Sequence, residues 1–268
     1  MGRGVSALSS SDAWRVAALT MMRDEDLAAI LSGESALLWI RPAANLGIPE
    51  AQLRLGRMLL AGESVSRDSV RAFALFCSAA AQGNADAENM VGRCHENGWG
   101  TETDFAQAAH WYRKAAEKGL AWAQYNLGHL LLDGNGVTGN RHEAFLWYSR
   151  AAEQGHARAM NLVARCCEEG WGTARDEAAA RDWYRRSAEA GYFRGAYNHA
   201  SILAAEGNRA EGEHWFKAAL ANAPEPTRSA MQKALRQRTN GVIPGRALRG
   251  RARYDCGTLR AQRSGKGT

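Results

Sequence analysis

A series of residues at one fixed spacing is the first feature of this chain that could bind something. Arg57, Arg93, His129 and Arg165 recur every 36 residues, and Ser201 takes the next place. Four residues ahead of each stand Leu53, Asn89, Tyr125, Asn161 and Tyr197. A guanidinium grips a carboxylate with two parallel hydrogen bonds, and an Asn amide can both donate to and accept from a peptide backbone. Arg57, Asn89, Arg93, Tyr125, His129, Asn161, Arg165 and Tyr197 are therefore the candidate partner-binding residues. The expected ligand is another protein or peptide, with an acidic segment or a C-terminal carboxylate. The same pattern also fits a plain solvated face. Glu96 follows Arg93 by three and Glu168 follows Arg165 by three, and such neighbours pair on a helix surface.

Nothing comparable points to catalysis. The other histidines (95, 110, 142, 156, 199 and 214) fall on separate segments, with no Ser-His-Asp or HExxH arrangement. The five cysteines, Cys77, Cys94, Cys166, Cys167 and Cys256, are odd in number and form no CxxC. Reduced thiols in a cytosolic setting are expected, with no zinc site, because paired ligands at a zinc spacing are missing. No catalytic residue, metal or cofactor is expected. A pocket holding a strongly perturbed titratable group would reverse that expectation.

The elements that must carry these residues repeat. The stretch "GWGTETDFAQAAHWYRKAAEKG", Gly98–Gly119, recurs as Gly134–Gly155 and Gly170–Gly191, and in a looser form as Gly62–Gly83. Trp111, Trp147 and Trp183 keep step, as do Gly56, Gly92, Gly128, Ala164 and Ala200. Partial copies stand around Trp39 and Trp215. A fixed period of this size means stacked supersecondary units. Apolar spacing over Ala121–Asp133 predicts a first helix, ended by Gly134. A second helix is predicted from Asn140, whose equivalents Asp104 and Asp176 are also N-capping residues. Each helix-interior glycine costs about 1 kcal/mol relative to alanine. A helix backbone or a Trp ring is expected to come close there, with the Trp filling the volume between copies. The Gly-x-Gly loops follow helices rather than strands, so they are turns and not phosphate loops.

The frame Leu127-Gly128, Gly134-Asn135-Gly136-Val137, Ala144, Trp147-Tyr148, Ala151-Ala152 and Gly155 resembles the Sel-1-like repeat (SLR), a relative of the tetratricopeptide repeat. The resemblance extends over Ser35 to Ala223. One departure is consistent. The family often has Tyr three residues after the first-helix glycine, where this chain has Leu59, His95, Leu131, Cys167 and Leu203. The resemblance implies an all-α fold, a right-handed α-solenoid of about five 36-residue helix-turn-helix units. It also implies a scaffold or adaptor for other proteins, with no shared catalytic residues, although a few relatives are said to be hydrolases. Three segments are expected: residues 1–34 as a helical cap, 35–223 as the repeat array, and 224–268 as a capping helix and basic tail.

Charge supports this division. The net charge is +6, yet residues 227–268 alone carry +10, so the rest is acidic at −4. The basic tail gives a second reading, non-specific binding of nucleic acid or an anionic surface. Stacking aromatics are not interleaved with its cations, which argues against base readout. No apolar run reaches membrane-spanning length and no secretory h-region opens the chain, so a cytoplasmic location is expected.

Overall fold

The computed structural model describes residues 36–239. The cap expected over residues 1–34 and the basic tail beyond the last helix lie outside the described residues. Among the described residues there are twelve helices and no strand. They are α1 Ala36–Asn45, α2 Pro49–Ala61, α3 Ser69–Ala81, α4 Ala85–Asn97, α5 Phe105–Glu117, α6 Ala121–Asp133, α7 Arg141–Glu153, α8 Ala157–Glu169, α9 Glu177–Glu189, α10 Phe193–Ala205, α11 Arg209–Asn222 and α12 Glu225–Thr239. Even-numbered helices from α2 to α10 are the first helix of a copy, and odd-numbered helices from α3 to α11 are the second. The chain divides into two compact units, Met1–Asp176 and Glu177–Thr268, and the division falls inside the fourth full 36-residue copy.

Local chemistry starts and stops these helices. Asp68, Asp104 and Asn140 each precede a second helix and accept the N–H of the residue three positions on, at 2.9, 2.9 and 3.1 Å. Each thereby satisfies one of the four free N–H groups at a helix start. Asn84 caps α4 in the same way, accepting from Ala87 at 2.9 Å.

In the first unit, consecutive helices pack side by side from α1 to α8. Ile40, Leu55, Phe76, Val91 and Cys94 form part of its continuous core. The contact that sets the spacing is a ring against a glycine. A Cβ placed on Gly128 would lie 2.5 Å from the Tyr148 ring, and one on Gly92 would lie 2.7 Å from the Tyr112 ring. Phe76 meets Gly56 in the same manner. The expectation of a close helix backbone holds at Gly92, where Ala108 O lies 3.2 Å from that carbon, but the ring in the notch is that of the residue after the tryptophan and not the tryptophan itself. Tyr112 and Tyr148 are fully buried, whereas Trp111 and Trp183 are only half-buried. Trp147 is itself buried, and each of the three tryptophans lies under a cation three residues on. Lys114 lies over Trp111 at 4.9 Å, Arg150 over Trp147 at 4.5 Å, and Arg186 over Trp183 at 3.9 Å.

A ladder of polar pairs, each an exposed donor on a buried acceptor, ties the helix ends within this unit. Gln82 Nε2 donates to Gln52 Oε1, Lys118 Nζ to Glu88 Oε1, and Gln154 Nε2 to Gln124 Oε1. Glu88 is fully buried and is also bridged by Lys114 at 3.1 Å. Gln82 and Lys118 reach further back, to the carbonyls of Gly47 and Gly83, each at 2.8 Å. One register thus accepts an amide pair or an ion pair, since both supply a donor to an acceptor that water cannot reach.

In the second unit, α9 to α12 pack in sequence around Phe193, Ala196, Ala219 and Met231. The capping helix expected after residue 223 runs from Glu225 to Thr239. Arg228 holds the carbonyls of Leu220 and Ala223 at 3.0 and 3.1 Å, which satisfies acceptors at the end of α11.

Two outcomes follow. Gly128→Ala forces the Tyr148 ring out of its notch, and overpacking of this kind costs about 1–3 kcal/mol, more than the roughly 1 kcal/mol that alanine contributes to a helix. The urea midpoint of the variant should fall, and a rise would contradict the notch. For the ladder, Glu88→Gln with Lys118→Gln copies the flanking amide pairs and should change stability by less than about 1.5 kcal/mol. Lys114→Met with Lys118→Met strands a buried carboxylate and should cost about 3–5 kcal/mol in the same measurement.

Candidate functional site

The first helices position the predicted ladder, and the structure treats its members differently. Arg57 on α2 is exposed and pairs with Asp86 at the start of α4, at 3.1 Å. Arg93 on α4 and Arg165 on α8 are half-buried. Their guanidinium carbons sit 5.0 Å and 4.8 Å from the ring centroids of Trp99 and Trp171. Glu96, expected as a neutralising neighbour of Arg93, accepts the Tyr112 hydroxyl at 2.5 Å. Asn89 is buried, and its side-chain oxygen accepts from Asn126 at 3.0 Å, joining α4 to α6. Asn161 is buried on α8. Tyr197, in the second unit, packs edge-on to Phe216 at 5.4 Å.

Tyr125 and His129 belong to a cluster that sequence reasoning missed. Tyr125 stacks edge-on to His129 at 4.4 Å and lies 4.9 Å from His156. His129 Nδ1 shares a hydrogen bond with the Tyr148 hydroxyl at 3.0 Å. Trp122 meets the His156 ring edge-on at 4.4 Å and is 47% exposed, so the cluster reaches the surface. His156 Nδ1 caps α8 by accepting from Ala159, the place that Asn84 fills for α4. Two histidines that are far apart in sequence thus meet across one tyrosine.

Burial governs the titration of both imidazoles. It pulls His129 down to about 3, aided by the charges of His156 and Arg158. It pulls His156 down to about 4, with Arg158 acting in the same direction and a hydrogen bond to its own backbone opposing them. The perturbed groups are thus packed among rings rather than set along an open cleft. Burial likewise pushes the Cys94 and Cys166 thiols up to about 12. Thiols that hold their protons so firmly are poor nucleophiles. Among the described residues no group of three or more His, Cys, Asp or Glu is placed to hold a metal. None of the described helices is long and apolar enough to cross a membrane.

The missed partners of the ladder did leave a trace. Arg93 and Arg165 each have Trp six residues on, Trp99 and Trp171, whereas the copies of Arg57 and His129 have Glu63 and Asn135 there. The covariation within the repeat marks which cations rest on a ring.

The sequence model described as Sel1 repeat matches residues 49–84, 85–120, 123–156 and 157–192, more than half of the chain. A crystal structure of a Sel1 repeat protein from Oxalobacter formigenes aligns with a TM-score of 0.73 at 26% identity, over 86% of this chain and 90% of that one. The structure of c5321, a protective antigen present in uropathogenic Escherichia coli strains and displaying an SLR fold, aligns with a TM-score of 0.69 at 25% identity. That alignment covers 87% of this chain and 50% of c5321, so the present chain spans half of that protein. No curated protein matches the sequence.

The histidine cluster generates a pH prediction. The unfolded chain takes up these two protons near pH 6.5, the folded chain only near pH 3–4. The unfolded state therefore binds more protons in that window, so stability is complete above about pH 6.5 and falls as the pH drops towards 4. Each histidine contributes a slope of about 1.4 kcal/mol per pH unit. His156→Asn keeps a capping acceptor but no titrating ring, and should remove one such contribution. Urea unfolding at a series of pH values reads it, and an unaltered slope would sink the assignment.

Proposed function

We propose that this chain, which belongs to the Sel1 repeat family, is a non-catalytic scaffold that binds an acidic partner segment along its first helices. The observation that carries the reading is the pair of stacked guanidinium groups, Arg93 on Trp99 and Arg165 on Trp171. A ring under the face of the guanidinium leaves its edge for a carboxylate, and on Arg93 the one in-plane bond is the weak donation from Nη1 to Met90 Sδ at 3.7 Å. It also holds a long side chain in place, which lowers the entropy lost when a ligand is gripped. The two sites are 72 residues apart in sequence, two repeats. An extended segment with acids at both ends fits that arrangement better than a single ion. Trp122, rigid against His156 and partly exposed, adds an aromatic anchor on the copy between them.

The roles within the ladder then separate. Arg93 and Arg165 grip. Tyr125 and His129 hold the platform under Trp122, and Asn89 ties α4 to α6. Arg57 is engaged by Asp86 and contributes little.

The test is a fluorescence-anisotropy titration of the full chain with a library of labelled acidic peptides, including C-terminal Asp and Glu sequences. Arg93→Glu with Arg165→Glu should weaken the best binder by about 100-fold or more, since each charge-assisted pair is worth about 1.5–3 kcal/mol. Trp99→Ala should weaken it less, by loosening Arg93 alone. Equal affinity for wild type and the double variant, with circular dichroism showing both folded, would refute the reading.

A further inference from the structure

A second feature of the first unit lies away from the stacked arginines. A cavity of about 710 Å³ is bounded by Arg41 from α1, by Leu55 and Leu59 from α2, by the turn Ser64-Val65-Ser66-Arg67-Asp68, and by Ser69 and Arg71 at the start of α3. Its volume is that of a small-ligand site. We propose that this cavity binds a phosphoryl group, free or carried as a small monoester.

Three observations converge on that chemistry. The first is the state of the arginines. Arg57, Arg113, Arg181, Arg185 and Arg228 each face a carboxylate. Arg93, Arg141, Arg150, Arg165 and Arg186 lie over rings. Arg41, Arg67 and Arg71 do neither among the described residues, as is also true of Arg209 in the second unit, but these three are all exposed and all line this one cavity. The second is charge. Three guanidinium groups and the Asp68 carboxylate leave two net positive charges on the wall, and a phosphate monoester carries close to two negative ones. Asp68 is turned to the backbone, where it caps α3 by accepting from Arg71 N at 2.9 Å. Ser64, Ser66 and Ser69 supply hydroxyl donors beside the arginine forks.

The third is the backbone. Ser64 has φ +59°, the left-handed region that L side chains rarely adopt. The later copies put Gly100, Gly136 and Gly172 at this corner, all with positive φ. A Cβ on those glycines would lie 2.1–2.3 Å from the helix start of the preceding copy. The first copy alone keeps a side chain there, at a conformational cost, and that side chain is a hydroxyl on the cavity wall. Strain retained at one copy of a repeat is a mark of a site rather than of the fold. The apolar floor from Leu55, Leu59 and Val65 suits the organic part of an ester.

Isothermal titration calorimetry on the full chain tests this, with inorganic phosphate and O-phosphoserine as probes at matched ionic strength. Both should bind saturably, and Arg67→Gln with Arg71→Gln should weaken both by about ten-fold or more. Arg209→Gln, a control on the second unit, should leave them unchanged. Phosphoserine binding tighter than phosphate identifies a monoester as the natural source, and the reverse order identifies free phosphate. Should the double variant unfold, Ser64→Gly provides the second probe. It relieves the left-handed serine, so its melting temperature should rise while its phosphate affinity falls. Absence of saturable binding to the wild type overturns the proposal. So does equal binding by wild type and the folded arginine variant, because that places the anion elsewhere, such as on the basic tail.

Discussion

The first unit depends on one steric fact, that an aromatic ring occupies the space a Cβ would need. At Gly56, Gly92 and Gly128 the ring of Phe76, Tyr112 or Tyr148 lies 2.5–2.7 Å from where that carbon would stand. The pair of helices in each copy can therefore approach only at that point and only in that register. Packed interiors tolerate neither a void nor an overlap at such a contact. The weak helix propensity of glycine is the cost of a contact that every one of these copies repeats.

Other features follow from that register. It brings the end of each second helix beside the start of the first helix in its own copy. The pairs Gln52–Gln82, Glu88–Lys118 and Gln124–Gln154 can then form on one geometry with different chemistry. It also sends the two tyrosine hydroxyls to different partners, Glu96 for Tyr112 and His129 for Tyr148. The tryptophans, displaced from the notch by the tyrosines beside them, end next to it, Trp147 buried and Trp111 and Trp183 half-buried. There they serve as platforms for cations, which bury their hydrocarbon stems and keep their charge wet. A repeat that carries charge on rings in this way presents fixed, water-accessible guanidinium groups, the property a binding face needs.

Helix boundaries were readable in the sequence because they are set locally. The capping of α7 by Asn140 and the end of α6 at Gly134 depend on a few neighbouring atoms, and both stand where the residue types place them. The candidate site was readable only as positions. Its residues stand on first helices, but Asn89 and Asn161 are buried, and Asn89 is bonded to Asn126 from another copy. The Trp122–Tyr125–His129–His156 cluster joins the first helix of one copy to the residue that caps α8, and no short-range spacing announces it.

The period of 36, the helix pairs, the caps and the membership in a repeat fold were thus determined by the sequence alone, because each rests on residue type at fixed local spacing. Only the tertiary structure decided which of two adjacent rings enters the glycine notch, which arginines are pinned on tryptophan, and which are left facing a cavity. Those outcomes depend on side chains from different copies competing for the same volume and the same charge. That competition is resolved only when the helices pack.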